Sequence, residues 1–233
     1  EIIEILGDKD DAGVDIEAII RQLNLPGKFP DEVLEQTENI PEQVAEAAIN
    51  SDQEREDLRD LKLVTIDGPD AKDFDDAVSI EKQQDGVYRL GVHIADVSHY
   101  VTEDSPLDSE AYSRATSIYL VDRVIPMLPE KLSNGICSLN PQVDRLTMSV
   151  FIEYKFHGKY GIEVRDHRIT KSVINSNHRM TYDEAQDILE DNERAKTEEY
   201  SDFIKELKMM NELRRRLRKN RFEEGSMDFN FTE

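Results

Sequence analysis

Leu61-Lys-Leu-Val-Thr-Ile66-Asp67-Gly-Pro-Asp70-Ala-Lys-Asp73-Phe74-Asp75-Asp76-Ala77 carries an apolar run into a loop of five carboxylates and straight back into apolar sequence. From Leu61 the hydrophobic period is two, so Leu61–Ile66 is read as a strand and Ala77–Lys82 as its return. Carboxylates held a few ångströms apart repel and raise each other's pKa. A chain keeps them together cheaply only if they stay solvated or a cation neutralises them. Hard divalent ions take oxygen ligands, and Mg²⁺ works through a few carboxylates together with substrate phosphates. The loop therefore reads first as a metal site suited to phosphate chemistry.

Simpler explanations of the loop fare unevenly. An EF-hand counted from Asp73 needs Gly at its sixth place and Glu at its twelfth, where Val78 and Gln84 stand. Counted from Asp67, Lys72 and Val78 fill those places, and the match fails again. An aspartyl phosphatase would want a D-x-D-x-T pattern straight off a strand, and Asp73-Phe-Asp75-Asp76-Ala77 lacks the Thr. A solvated turn needs no special pattern, yet it gives no reason for Phe74 among the acids.

Working outward, Glu1–Gly7 alternates like the last strand of an upstream element, and Val14–Leu23 has helical spacing. Pro26, Gly27 and Pro30 break the chain. Asn39, Pro41 and Glu42 suggest a helix start running to about Asp60, with Val44, Ala47, Ala48 and Leu58 inward. Past the loop, Gln84-Asp85-Gly86 has hairpin chemistry, and Val87–Val97 is a strand. A helix opens at Ser105-Pro106, and Leu146–Phe156 with Gly161–Val173 forms a hairpin. Thr181 caps a short helix, with Glu184 three residues on. Thr197–Phe222 is a long amphipathic helix whose face is Tyr200, Phe203, Ile204, Leu207, Met210, Leu213 and Leu217. The chain closes on a strand-like Ser226–Phe231. Strands and helices mix without regular βαβ alternation, so the class is α+β, an irregular mixed α/β fold.

The 233 residues are 38% hydrophobic and 34% charged, a globular and rather polar composition. No apolar run approaches the roughly 18 residues of a membrane span. No signal-peptide pattern opens the chain, and Glu1 in place of Met suggests a trimmed start. The single cysteine, Cys137, cannot form an internal disulfide, which makes a reducing cytoplasm the expected compartment and a buried thiol its expected state. The net charge of −22 is awkward for a nucleic-acid binder. Eleven acids against Arg55 and Arg59 in residues 31–60 explain part of it. The opposite bias lies in Arg214-Arg-Arg216-Leu-Arg218-Lys219-Asn-Arg221, where a solvated helix C-terminus is a simpler account than contact with RNA phosphates.

Ile66–Val78, followed by Gly91-Val-His-Ile-Ala-Asp-Val-Ser-His-Tyr-Val101, resembles the catalytic domain of the ribonuclease II / ribonuclease R family. Ile125-Pro-Met-Leu-Pro129, Leu132-Ser133 through Cys137-Ser-Leu139, Arg179-Met-Thr-Tyr182 and Gly225-Ser-Met-Asp-Phe229 continue the likeness in order. Val97–Val101 and the Gly-x-Met-Asp-Phe ending favour the ribonuclease R branch. The resemblance implies the N-terminal part of an RNB-type catalytic domain over 61–233. Before it, 1–60 would be the end of an oligonucleotide-binding cold-shock (OB-like) domain and an acidic helical linker.

The same resemblance implies processive 3′-to-5′ hydrolysis of single-stranded RNA to 5′-nucleotides. Its four metal-site aspartates fall on Asp67, Asp73, Asp75 and Asp76, with Asp70 outside the set and Asp75 most tied to the chemical step. Two Mg²⁺ about 4 Å apart would bind the scissile phosphate and stabilise the leaving oxygen. Tyr119 matches an aromatic gripping RNA at the mouth of the site, and Tyr182 one that packs near the 3′-terminal nucleotide and sets the smallest product. Phe229 matches one that stacks on a base. His93 and His99 are expected to be structural. The family domain is longer and adds a carboxylate, an arginine and a basic S1 domain, so an isolated piece should be poorly active. Partners would be single-stranded RNA and, for a whole protein, ribosomes or RNA-decay proteins, with no membrane. A non-catalytic RNB-like module binding RNA or protein, and a Ca²⁺-binding carboxylate module, are the alternatives.

Overall fold

The computed structural model describes residues 4–8, 11–51, 55–190 and 200–227. In chain order its elements begin with α1 (Val14–Gln22), α2 (Asp31–Glu38), α3 (Glu46–Ser51), β1 (Glu56–Asp57), β2 (Val64–Asp67), β3 (Asp76–Lys82) and β4 (Val87–Ala95). There follow α4 (Pro106–Arg114), β5 (Ile118–Tyr119), β6 (Val124–Ile125), β7 (Asp144–His157), β8 (Gly161–Asn175), β9 (His178–Thr181), α5 (Tyr182–Leu189) and α6 (Ile204–Glu223). They gather into two compact units interleaved in sequence: residues 1–42 with 97–135, and residues 43–96 with 136–233.

The first unit is mostly helical. Ser105 Oγ accepts from the Asp108 N–H and starts α4, with Pro106 in the first turn as the sequence suggests. Arg114, at the last turn of α4, is buried. It donates to Glu110 at 2.8 Å and to the Gly27 and Pro126 carbonyls at 2.9 and 3.1 Å, and lies 3.8 Å over the Phe29 ring. One guanidinium thus ties the Pro/Gly loop and the β5–β6 segment to α4. Gln36 on α2 accepts from the Leu107 N–H at 2.9 Å, joining the two helices.

The second unit is a seven-stranded sheet in the order β1-β8-β7-β4-β3-β2-β9. β1 pairs parallel with β8 and β2 parallel with β9, and the remaining ladders are antiparallel, which places the fold in the expected α+β class. Asp85 and Gly86 take positive φ, 56° and 72°, and turn β3 into β4. The Thr181–Glu184 capping box forms and starts α5. One sheet face is apolar. Val64, Met180, Ile188, Tyr200, Phe203 and Leu207 form one cluster and Ile80, Tyr154 and Leu213 a second, with Ile204, Met210 and Leu217 packed against them. Those from Tyr200 to Leu217 are the residues expected on the long helix, but α6 begins at Ile204, so Tyr200 and Phe203 pack from the turn before it.

The opposite face of the sheet buries a group of polar side chains. His93 is fully buried, with Nε2 3.0 Å from Ser79 Oγ and Nδ1 2.7 Å from Ser149 Oγ. Burial alone pushes its pKa down to about 4, so it is neutral and structural. Ser149, Ser172 and Thr147 extend the hydroxyl chain across β7 and β8. Arg55 caps it, donating to the Ser172 carbonyl at 3.0 Å and pairing with Asp96 at 2.8 Å in an almost fully buried salt bridge.

Three expectations fail. Of the helix expected from Asn39 to Asp60, only α3 (Glu46–Ser51) is helical among the described residues. Asn39 ends α2, its side-chain amide donating to the Glu35 carbonyl at 2.9 Å, so a residue read as a start acts as a stop. Downstream, Arg55 is drawn into the sheet and leads directly into β1. Residues 4–7 of the suggested first strand are irregular, and 1–3 lie outside the described residues, as do 228–231 of the suggested last strand. Arg216 is no solvated cation. It is buried over the Phe156 ring at 4.3 Å and donates to the Gly161 carbonyl at 2.9 Å.

Gly91 pairs with Ser79 across the β3–β4 ladder. A Cβ there would collide with Ser79 Oγ and come within 2.8 Å of His93 Nε2. Gly91→Ala is expected to lose about 2–3 kcal/mol in urea denaturation, and a second change, Ser79→Ala, should recover part of that loss by vacating the space.

Candidate active site

The acidic loop lies at one end of the sheet, where β2 finishes and β3 begins. Asp67 is the last residue of β2 and Asp76 the first of β3, so the antiparallel pair brings the two ends of the loop together. Between them the backbone is pinned at Phe74. The ring is buried to 4% exposure, its N–H donates to Ser138 Oγ at 3.1 Å, and its carbonyl accepts from the Leu139 N–H at 2.9 Å. Ser138 Oγ also donates to the Lys72 carbonyl at 2.8 Å, while Arg145 Nε holds the Ser138 carbonyl at 2.7 Å. The next residue is fixed as well, because the Asp75 carbonyl accepts from the Ala95 N–H at 3.0 Å at the end of β4. Cys137, beside this anchor, is buried, and burial pushes its thiol up to about 12, so it is not a nucleophile.

A second restraint comes from β9. Leu63 and Asn177 exchange hydrogen bonds, Leu63 N–H to Asn177 Oδ1 at 2.8 Å and Asn177 N–H to the Leu63 carbonyl at 3.1 Å. This sets the parallel register that places Thr181 opposite Asp67. Arg179, two residues earlier on the same side of β9, reaches over the loop. Its Nη2 donates to the Pro69 carbonyl at 2.7 Å and to Gly68 at 3.3 Å, and its guanidinium lies 5.1 Å from the Phe74 ring centre. In sequence Arg179 is only one member of the Arg179–Tyr182 motif, with no task of its own. The signal was its spacing from Thr181, which puts both on one side of a strand beside the loop.

The electrostatics follow from that geometry. The Asp67 carboxyl is raised above its ordinary value, first by partial burial, then by Asp76 and Asp73, with Arg179 acting against the rise. Asp75 is raised by loss of solvent on its protein side, then by Asp73, Asp76 and Asp67, although much of its surface stays open. The four carboxylates therefore feel one another. Asp70 takes no part in these shifts and sits exposed on the outside of the turn. Among the described residues no three carboxylate, histidine or cysteine side chains converge closely enough to form a ready-made metal cage. The donors are all oxygens, the type a hard divalent cation takes.

The aromatic candidates separate. Tyr182 opens α5 immediately after Thr181, so the register brings it to the Asp67 end of the sheet, with the side chain 63% exposed. Tyr119 is on β5 in the other unit, 70% exposed. Phe229 lies outside the described residues. His99 stacks edge-on against Tyr100 at 4.9 Å in the first unit.

The chain is similar to known proteins along its whole length. A cold shock domain model matches residues 1–30. Ribonuclease R 1 of Lactococcus lactis is 47% identical over 232 residues, all of this chain and 27% of that protein. Ribonuclease R of Thermotoga maritima is 47% identical over 95% of this chain and 31% of its own length. The solved structure of Mycoplasma genitalium RNase R in complex with ribose-methylated single-stranded RNA superposes with a TM-score of 0.88 at 30% identity. It covers 99% of this chain and 34% of that one. The chain thus spans about a third of the length of the relatives it matches. The RNB domain model matches residues 55–233, taking in the carboxylate loop, its Phe74–Ser138 anchor and the Arg179 strap together, and on that match the chain belongs to the RNB domain family.

Proposed function

We propose that this chain supplies the carboxylate half of an exoribonuclease active site, which in the whole protein degrades single-stranded RNA from its 3′ end to 5′-nucleotides. The observation that carries the reading is the Asp67–Asp76 loop: four carboxylates fixed at one sheet end, two of them raised first by loss of solvent and then by their neighbours' charge. Similarity to ribonucleases R over the full chain supports it. Asp67, Asp73, Asp75 and Asp76 would hold Mg²⁺, their oxygen-only donor set fitting that ion. Bound there, the ion would activate water and stabilise the leaving oxygen of the scissile phosphodiester.

The chain's own side chains do the positioning. Phe74, Ser138 and Arg179 hold the loop backbone, so the carboxylates point from a fixed frame before any ion arrives. Tyr182 offers an exposed ring beside Asp67 for the last base or ribose of the strand. Stacking accepts any base, which suits digestion of any RNA. Tyr119 and Phe229 are proposed as further RNA contacts on the motif match alone. Residues 61–233 would be the start of the catalytic domain and 1–60 the end of a cold-shock domain with its linker. The single, buried and inert Cys137 supports a cytoplasmic setting. No helix among the described residues is long and apolar enough to cross a membrane.

Two outcomes are expected of Asp75→Asn. In the whole protein with Mg²⁺, hydrolysis of poly(A) should fall by about a thousandfold or more, while RNA affinity measured by anisotropy stays within about threefold. Retained hydrolysis overturns the assignment. The second outcome concerns stability without metal. A carboxyl raised in the folded state binds its proton more tightly folded than unfolded, so ionisation weakens the fold as pH climbs through the raised value. In EDTA at pH 7, Asp75→Asn should therefore melt higher than the parent by about 2 °C. The gap should close as the pH falls towards about 4.

A further inference from the structure

We propose that the C-terminal half of α6 and the tip of the β7–β8 hairpin form a second RNA-binding groove, remote from the carboxylate loop. The inference rests on the ribonuclease reading above, which supplies the polyanion. Its own evidence is a cavity of about 600 Å³ lined by Tyr160, Arg214, Arg215, Arg218, Lys219 and Phe222. On a helix, positions 214, 215, 218, 219 and 222 make one continuous stripe, about 12 Å long at 1.5 Å per residue. A stacked strand advances about 3.4 Å along its axis for each phosphate, so three or four phosphates fall along that stripe.

The dipole of the helix does not account for these cations. Its influence fades within the last turn, while Arg214 and Arg215 stand more than two turns before the end of α6 at Glu223. Residues 214–221 hold six cations and no acid in a chain of net charge −22. Arg216 is spent on packing and ties α6 to the hairpin through Gly161, while Arg214, Arg215, Arg218 and Arg221 are exposed. Glu223 lines the cavity too, and pairs with Lys219 at 2.7 Å, a pair an arriving phosphate can replace.

The aromatics make RNA a better fit than an acidic peptide. The Tyr160 ring lies 5.1 Å from Lys159 Nζ and 5.2 Å from Lys219 Nζ, and the Phe222 ring 5.5 Å from the Arg218 guanidinium. Phe222 is 42% exposed. Cations set against aromatic rings, one of them exposed, match a strand that presents phosphates and bases in alternation. Register gives the groove its place. Asp76 pairs with Ile94, and Ile94 with Met148. His157, at the hairpin tip, is nine residues further along β7, about 30 Å at 3.4 Å per residue. The groove and the loop sit at opposite ends of the sheet, so one strand must have about nine stacked nucleotides to reach both.

The test uses the whole protein, with binding measured in the Asp75→Asn background so that RNA is held but not cut. Arg214→Gln with Arg215→Gln should weaken binding of a 30-nucleotide oligo(A) about tenfold at 0.1 M KCl. The slope of log affinity against log salt should become shallower by about 1.4, or 0.7 for each lost phosphate contact on a single strand. Arg214→Lys with Arg215→Lys should keep the slope, and Phe222→Leu should cost about fivefold or more through lost stacking. With Asp75 restored, cutting of a four-nucleotide RNA, too short to reach the groove, should be unchanged in all these variants. Unchanged affinity and slope for the 30-mer overturn the proposal. So does equal weakening for the four-nucleotide RNA, or displacement of the 30-mer by polyglutamate as readily as by poly(U). A parent that cuts neither RNA overturns the ribonuclease reading instead and leaves the binding result to stand by itself.

Discussion

Phe74 is an apolar ring set among four acids, and its burial is the constraint on which the site depends. Burying a phenyl side chain contributes about 2–3 kcal/mol. The hydrogen bonds that Ser138 and Leu139 make to the same residue add about 1 kcal/mol each. Repulsion between neighbouring carboxylates in contact with water costs about 1 kcal/mol a pair. The ring and its backbone clamp therefore hold the loop in one shape while its charges push outward. Arg179 acts on the same three things at once: the ring, the loop carbonyls and the Asp67 carboxyl.

The sheet divides its work by end and by face. One face takes the apolar helices, and the other buries a chain of hydroxyls around a neutral histidine, capped by the Arg55–Asp96 pair. A buried ion pair is weak evidence for net stability, yet removing one partner strands a charge, so both ends must be placed together. Here it fixes where the chain enters the sheet before the carboxylate loop. The parallel β2–β9 pairing then decides which residues share the loop's end.

Local signals were legible where they are complete in sequence. The carboxylate loop, the Gln84–Gly86 turn, the Ser105 and Thr181 caps and the hydrophobic face of α6 all depend on residues a few positions apart. What failed depends on a neighbouring element that was not foreseen or on partners far away. Asn39 carries the same side chain whether it starts a helix or stops one, and only the unsuspected α2 before it decides. Arg55 and Arg216 look like surface cations until the sheet and the hairpin supply their carbonyls. The site shows the same split: the aspartates were readable by type and spacing. The Arg179 strap needed the β2–β9 pairing, which joins residues 114 apart.

The interleaving of the two units bears on how the chain is made. Residues 1–42 belong with 97–135, and 43–96 with 136–233. Translation delivers the chain from its N-terminus, and compact units fold as they become complete. The first unit cannot close until residue 135 has left the ribosome, because Gln36 waits for Leu107 and Gly27 for Arg114. Meanwhile β2, β3 and β4, with the carboxylate loop between β2 and β3, are already synthesised and still without β7 and β9. For that interval the carboxylate loop has neither its Ser138 anchor nor its Arg179 strap, so it reaches its final shape only after residue 179 has emerged.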